Sequence, residues 1–204
     1  MKERLKRGLL WLTTAFSMTQ LNPLQVLAAS GQEVAPYMNF ASYHYVGANG
    51  QEARNVFREY GPDANGIFQV SVVEGAAVNC FVFQIKEDGI YEIAKFDGYQ
   101  DVSDKRYSRE TQNSQQSLVL PLSLTKGTTF LTGYDQSEKN TVMEETMTYR
   151  VNQKTFEQVV KVKREASGKV TYRYYAPNVG LIAVEDSENN PLLLLSEAQG
   201  KTVK

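Results

Sequence analysis

Cysteine occurs once in the 204 residues, as Cys80, and histidine once, as His44. A lone cysteine excludes any intrachain disulfide, so stability must come from packing. Cys80 lies in the apolar run Val78-Asn79-Cys80-Phe81-Val82-Phe83 and reads as a small buried hydrophobe rather than a reactive thiol. One histidine and one cysteine cannot make a structural zinc site, and a Ser-His-acid triad would have to use His44. There is no Gly-x-Ser-x-Gly, no phosphate-binding Gly-Lys-Ser/Thr loop and no dinucleotide fingerprint. Apolar runs also stop well short of the ~20 residues that span a bilayer. An excess of either sign of charge is lacking too: the formal net charge is −1.

What is present begins with a leader pattern. Lys2, Arg4, Lys6 and Arg7 form a basic segment, and Gly8 to Met18 is mostly apolar. Asn22-Pro23 breaks the helix, and Val26-Leu27-Ala28-Ala29 offers small residues at a signal-peptidase spacing, with Ala28 and Ala29 at the expected cleavage site. An uncleaved anchor helix is the alternative, and the short apolar run counts against it. No cysteine stands just after the apolar segment, so the expected product is not a lipoprotein and is not stably inserted in a membrane. The expected organisation is a signal peptide over 1–29, a flexible segment over 30–36, one β-domain over 37–196 and a polar tail over 197–204. Removal of the leader takes four Lys/Arg and one Glu with it. That leaves 175 residues with 18 basic and 22 acidic side chains, and a net charge of −4. Such a balance gives no reason to expect nucleic acid as a partner. A secreted protein without disulfides fits the cell-wall side of a Gram-positive bacterium.

Strand signals dominate the rest. Residues 37–47 interleave Tyr37, Phe40, Tyr43 and Tyr45 and end at Gly47-Ala48-Asn49-Gly50. Residues 51–60 fit a second strand of a hairpin, or a helix with its charges in solvent. Residues 67–74 and 77–86 read as long strands, the latter apolar on both faces at its centre and so covered on both sides. Residues 97–117 are a polar break, either a mobile loop or a short exposed helix. Ser117 to Leu124 reads as an apolar edge or polyproline-II-like segment, because Pro121 cannot donate to a ladder and argues against a central strand. Paired strand candidates then follow over 128–176, and apolar runs at 181–184 and 191–195. About ten strands joined by short turns, without a crossover helix, predict an all-β fold: an antiparallel, strongly curved meander sheet or a half-open β-barrel.

The acidic pairs Glu144-Glu145 and Asp186, Glu188 read as solvated charge, since neighbours on a strand point to opposite faces. Asp101 and Asp104 lack the spacing of a calcium loop. No metal or cofactor is expected. The 12 tyrosines and 9 phenylalanines are the one compositional hint of binding: on a curved sheet they either fill the core or line a ligand cavity. In the most patterned stretch, Tyr172 to Val184, Pro177-Asn178-Val179-Gly180 predicts a turn between two strands. Tyr174 and Tyr175 should face opposite sides, with Tyr174, Tyr175, Pro177, Asn178 and Gly180 structural before they are a binding motif.

Four motifs recur in order: Tyr43-His44-Tyr45-Val46-Gly47, Gly89-Ile90-Tyr91-Glu92, Leu120-Pro121-Leu122 leading to Gly127-Thr128-Thr129-Phe130, and Tyr174-Tyr175-Ala176-Pro177-Asn178-Val179-Gly180-Leu181. Together they resemble an uncharacterised family of secreted, mostly Gram-positive β-proteins with a C-terminal Tyr-Tyr-Ala-x-x-Val-Gly-Leu signature. Phe130 stands where that family often has Trp, and Asn178 where it often has Gly. The resemblance implies a half-barrel distantly reminiscent of envelope lipid or lipoprotein carriers, and it supplies no catalytic residues. The functional expectation is a non-catalytic secreted domain whose concave aromatic face takes an apolar small molecule or envelope component, its partner otherwise unknown. A cell-surface structural or interaction module and a hydrolase with an unfamiliar site are the alternatives.

Overall fold

The computed structural model describes residues 40–47 and 52–201, so the leader, Ala28 and Ala29, the segment over 30–36 and the first residues of the expected domain lie outside the described part. Twelve strands run β1 (Phe40–Gly47), β2 (Glu52–Tyr60), β3 (Ile67–Glu74), β4 (Ala77–Ile85), β5 (Gly89–Phe96) and β6 (Ser117–Pro121). They continue as β7 (Thr129–Thr132), β8 (Glu138–Val151), β9 (Lys154–Ala166), β10 (Lys169–Ala176), β11 (Gly180–Asp186) and β12 (Pro191–Lys201). Among the described residues one five-residue helix, α1 (Arg109–Asn113), follows the N-cap Ser108, whose hydroxyl accepts from Thr111 N.

All twelve strands form one antiparallel sheet in the order β6-β5-β4-β3-β2-β1-β12-β11-β10-β9-β8-β7. The fold is therefore all-β, as the alternation predicts, with twelve strands where about ten were expected. Pro121 does not keep Ser117–Pro121 out of the sheet, because the proline closes an edge strand and pairs opposite Gly89. Residues 51–60 resolve as strand over the described part, their register fixed on both sides by β1 and β3. The polar tail is shorter than expected: β12 runs on to Lys201, with Gln199 opposite Ser42 and Lys201 opposite Phe40, because backbone pairing with β1 needs no apolar side chains.

The order places β1 and β12 side by side in mid-sheet and leaves β6 and β7 as the two edges. These edges are brought together. Leu120 of β6 and Leu124 pack with Val142 of β8 and Val160 and Val162 of β9, and Phe130 and Tyr175 lie against them. Strands so far apart in sheet order can touch only if the sheet curls round on itself. The Tyr134 hydroxyl, just past β7, donates to Glu92 Oε1 of β5 at 2.7 Å across the same seam. The result is a nearly closed barrel.

Directly paired residues share a face, so the register identifies the inner wall. Phe83 faces Phe68, Phe81 faces Val70, Val70 faces Arg58, and Val72 faces Val56, which faces Tyr43. On the other half Leu193 faces Val184, Val184 faces Arg173, Arg173 faces Val162, and Val162 faces Val142. The outer face is covered twice. Over β3–β5 the segment 97–116 lies on Ile67, Cys80, Val82 and Ile93, with Tyr99 inserted among them. Strand β4 is thus apolar on both faces, and Cys80 is fully buried with its thiol pushed up to about 12 by burial. Over β10–β11 the long β8–β9 hairpin brings Tyr149, Val151 and Val159 against Tyr174, Ala176 and Ile182.

Local geometry agrees with the turn chemistry. Ser167 and Gly168 both have positive φ, 50° and 71°, as a tight two-residue hairpin requires. Pro177–Gly180 turns the chain from β10 into β11, with Val179 N bonded to Ala176 O at 3.2 Å, Asn178 at φ 61° and Gly180 at φ 113°.

Candidate functional site

Two places gather functional groups, one on each side of the wall. The first is the inner wall itself. Strand β4 lies well inside the sheet, not at its edge, yet Phe81 and Phe83 remain partly exposed on the inner face, as do Phe130 and Tyr175. Phe68, Phe83 and Phe81 form an aromatic tier with successive centroid separations of 5.3 and 6.1 Å. The Lys95 ammonium is 5.9 Å from the Phe81 ring centre. Side chains on a twelve-stranded wall cannot all meet at the axis as they do in an eight-stranded barrel, which accounts for inward rings that stay accessible.

Cations are set among these rings. Arg58 stands between Tyr43 and the Val70 row, and burial pulls its guanidinium below the ordinary arginine value. Arg173 faces inward between Val162 and Val184, and its Nε is buried without a hydrogen-bond partner among the described residues. Near one end of the same wall, Arg164 Nε donates to Glu138 at 3.0 Å, and that bond, with Arg173 nearby, holds the Glu138 carboxyl below the usual range. Thr132 donates to Glu138 at 2.8 Å and Asn140 to Thr132 at 2.9 Å, which completes the network. Across the seam, burial raises the Glu92 carboxyl above its ordinary value.

The second place lies on the outer face where β12, β1 and β2 meet. A depression of about 260 Å³ is lined by Ser42 and His44 of β1, Asn55 and Phe57 of β2, and Glu197 and Gln199 of β12, beside Tyr43. His44 Nδ1 is 2.5 Å from Asn55 Oδ1. His44 is thus oriented by a partner. Ser42, though, is two residues along the same strand, about 6.7 Å away in rise, and parallel side chains at that spacing do not converge to the contact a nucleophile and base need.

The residues singled out from sequence are dispersed. Tyr174 is 2% exposed on the outer face, stacked on Tyr149 at 4.1 Å, and both hydroxyls donate to the Glu185 carboxylate. Tyr175 points to the inner wall instead. Pro177, Asn178 and Gly180 form the turn beside them. Glu144 pairs with Lys126 at 2.9 Å, while Glu145 accepts from Lys126 N at 2.6 Å. Asp186 accepts from Glu188 N and Asn190 N and shapes the β11–β12 turn. Asp101 and Asp104 serve as local partners of Ser103, Lys105 and Arg106. Among the described residues no group of three His, Cys, Asp or Glu could hold a metal ion.

Sequence reasoning missed Arg58, Arg173 and Glu185 as interior-facing or buried charges, and missed the neighbours of His44. Alternation gave no signal for the two arginines, since Arg173 shares its phase with Lys169 and Thr171 and Arg58 shares its phase with Glu52 and Arg54.

No family model matches the chain, and no curated protein matches it in sequence. Among solved structures it is similar to a Bacteroides fragilis protein described as exported and as having a YmcC-like fold. That likeness has 10% identity and a TM-score of 0.44, and covers 83% of this chain and 100% of that one.

Proposed function

We propose that this chain is an exported, non-catalytic β-barrel domain that takes an apolar or amphiphilic ligand of the cell envelope against its inner wall. The leader pattern of residues 1–29 supports export, and the four ordered motifs support membership of the secreted Gram-positive family they resemble. The observation that carries the binding reading is the inner wall itself: Phe81, Phe83, Phe130 and Tyr175 face inward on the barrel and are partly exposed. Rings that merely filled a core would be buried like Phe68. Arg58 and the unmatched Nε of Arg173 add donors suited to the polar end of such a ligand.

The test is titration of the protein with 1-anilinonaphthalene-8-sulfonate and displacement of that probe by dodecanoate. The expected result is saturable binding, displaced by dodecanoate and weakened about tenfold, near 1.4 kcal/mol, by the Phe81→Ser, Tyr175→Ser pair without loss of the folded state. Absence of probe binding, or binding that the pair leaves unchanged, overturns the proposal.

A further inference from the structure

We propose that the depression at the β12–β1–β2 junction is a binding site for a neutral saccharide ring, separate from the inner wall. It stands on cross-strand register. One row across the three strands reads Gln199, Ser42, Phe57, and the row beside it reads Glu197, His44, Asn55. Strands are spaced about 4.8 Å apart and alternate residues about 6.7 Å along each. The six side chains therefore frame a patch of roughly 10 by 7 Å, close to the footprint of one or two pyranose rings.

The chemistry of the patch selects the ligand. Phe57 is 44% exposed, although it sits in a strand interior, and its cross-strand neighbours are the small residues Ser42 and Ser71. No bulky cross-strand side chain stands over the ring, so its face is open to stacking. Beside it are an amide at Asn55, an amide at Gln199, a carboxylate at Glu197, an imidazole at His44 and a hydroxyl at Ser42. This is a mixed set of donors and acceptors around one apolar face. A pyranose offers the complement: C–H groups on one face and hydroxyls that both donate and accept round its edge.

Other ligand classes fit less well. Among the described residues no Lys or Arg lines the depression to hold an anion, and Glu197 would repel one. A single carboxylate with one imidazole falls short of a hard-cation cage. The short His44–Asn55 contact orders two of the polar groups before a ligand arrives, which lowers the cost of binding.

The experiment is amide chemical-shift mapping on the full-length chain with glucose, galactose, N-acetylglucosamine and the β1,4-linked dimers of glucose and N-acetylglucosamine, each to about 50 mM. The proposal expects saturable shifts at residues 42–44, 55–57 and 197–199 for at least one sugar, with a millimolar Kd. Phe57→Ala and Glu197→Gln alter exposed side chains and should preserve the dispersed spectrum, Phe57→Ala weakening binding about tenfold. Dodecanoate should leave these amides unmoved, which keeps this site distinct from the inner wall. No sugar shifting these residues, shifts unaffected by Phe57→Ala, or calcium chloride or sodium acetate producing the same saturation would each overturn it.

Discussion

At Tyr174 the ring is 2% exposed and stacked on Tyr149, and its hydroxyl shares the Glu185 carboxylate with Tyr149. Burial and that carboxylate hold the phenol protonated well above the usual tyrosine range. Its neighbour Tyr175 faces the inner wall and is half-buried. Two adjacent tyrosines therefore should answer mutation differently. Tyr174→Ala should cost about 3–5 kcal/mol, the range for truncating a buried aromatic. Tyr174→Phe should cost about 1–3 kcal/mol, because Glu185 is 9% exposed and loses one of its two donors. Tyr175→Ala should cost less than Tyr174→Ala and should weaken probe binding. Urea denaturation checks the order, and a Tyr175→Ala variant less stable than Tyr174→Ala would refute the assignment of faces. That the pair splits was readable from β alternation. Which ring would be buried was not, because the cover over Tyr174 comes from a hairpin arm whose curl depends on register shifts between Val142 and Tyr149.

The elements on the outer face show what local patterns leave out. Residues 97–116 are polar enough to read as a solvated loop, yet they are pinned by a glutamine in mid-strand. Gln69 is fully buried; its Nε2 donates to Glu59 at 2.7 Å, to the Tyr99 hydroxyl at 3.0 Å and to Ser103 O at 3.0 Å. Its Oε1 accepts from Lys105 N at 2.7 Å. Arg106 ties the same segment to Gly61 O and stacks over Tyr60. Gln69→Leu keeps the strand and removes the pin, leaving buried groups unpaired at about 1–3 kcal/mol each. Tryptic cleavage at Lys105, Arg106 and Arg109 should then precede global unfolding. Cleavage no faster than in the parent would show that Tyr99 and Arg106 hold the segment alone. Strand positions were legible because they follow from periodicity and turn residues. Gln69 was not, since its partners on the segment lie 30 to 36 residues further on and carry no local signal. The His44 grid was hidden for the same reason: Glu197 reaches it from the far end of the chain.

At the scale of the whole molecule the strand order is a ring cut in an unexpected place. From β7 through β12, then β1 through β6, every neighbour in the sheet is a neighbour in that cyclic order. The covalent link runs from β6 to β7, where the sheet has its seam. Among the described strands the one ladder between strands not consecutive in sequence joins β12 to β1. Antiparallel meander order was legible from short turns, whereas closure was not, because it depends on curl that alternation does not encode. The arrangement makes a kinetic prediction. A permuted chain of residues 124–201 followed by 40–123, with about three glycine-rich residues between Lys201 and Phe40, converts the longest-range ladder into a hairpin. Phe40 and Lys201 already face each other, so the join asks for no rearrangement. Opening after the exposed Ser123 leaves Leu124 on the β7 side of the seam with Val142 and Val162. With its contact order lowered, the permutant should refold about tenfold faster than the parent over 40–201 in stopped-flow measurements. Its unfolding rate should rise, because the seam now holds two chain ends together through Leu120, Leu124, Tyr134 and Glu92 without a covalent link. A permutant that refolds no faster would mean that seam closure, rather than β1–β12 pairing, limits folding of the barrel.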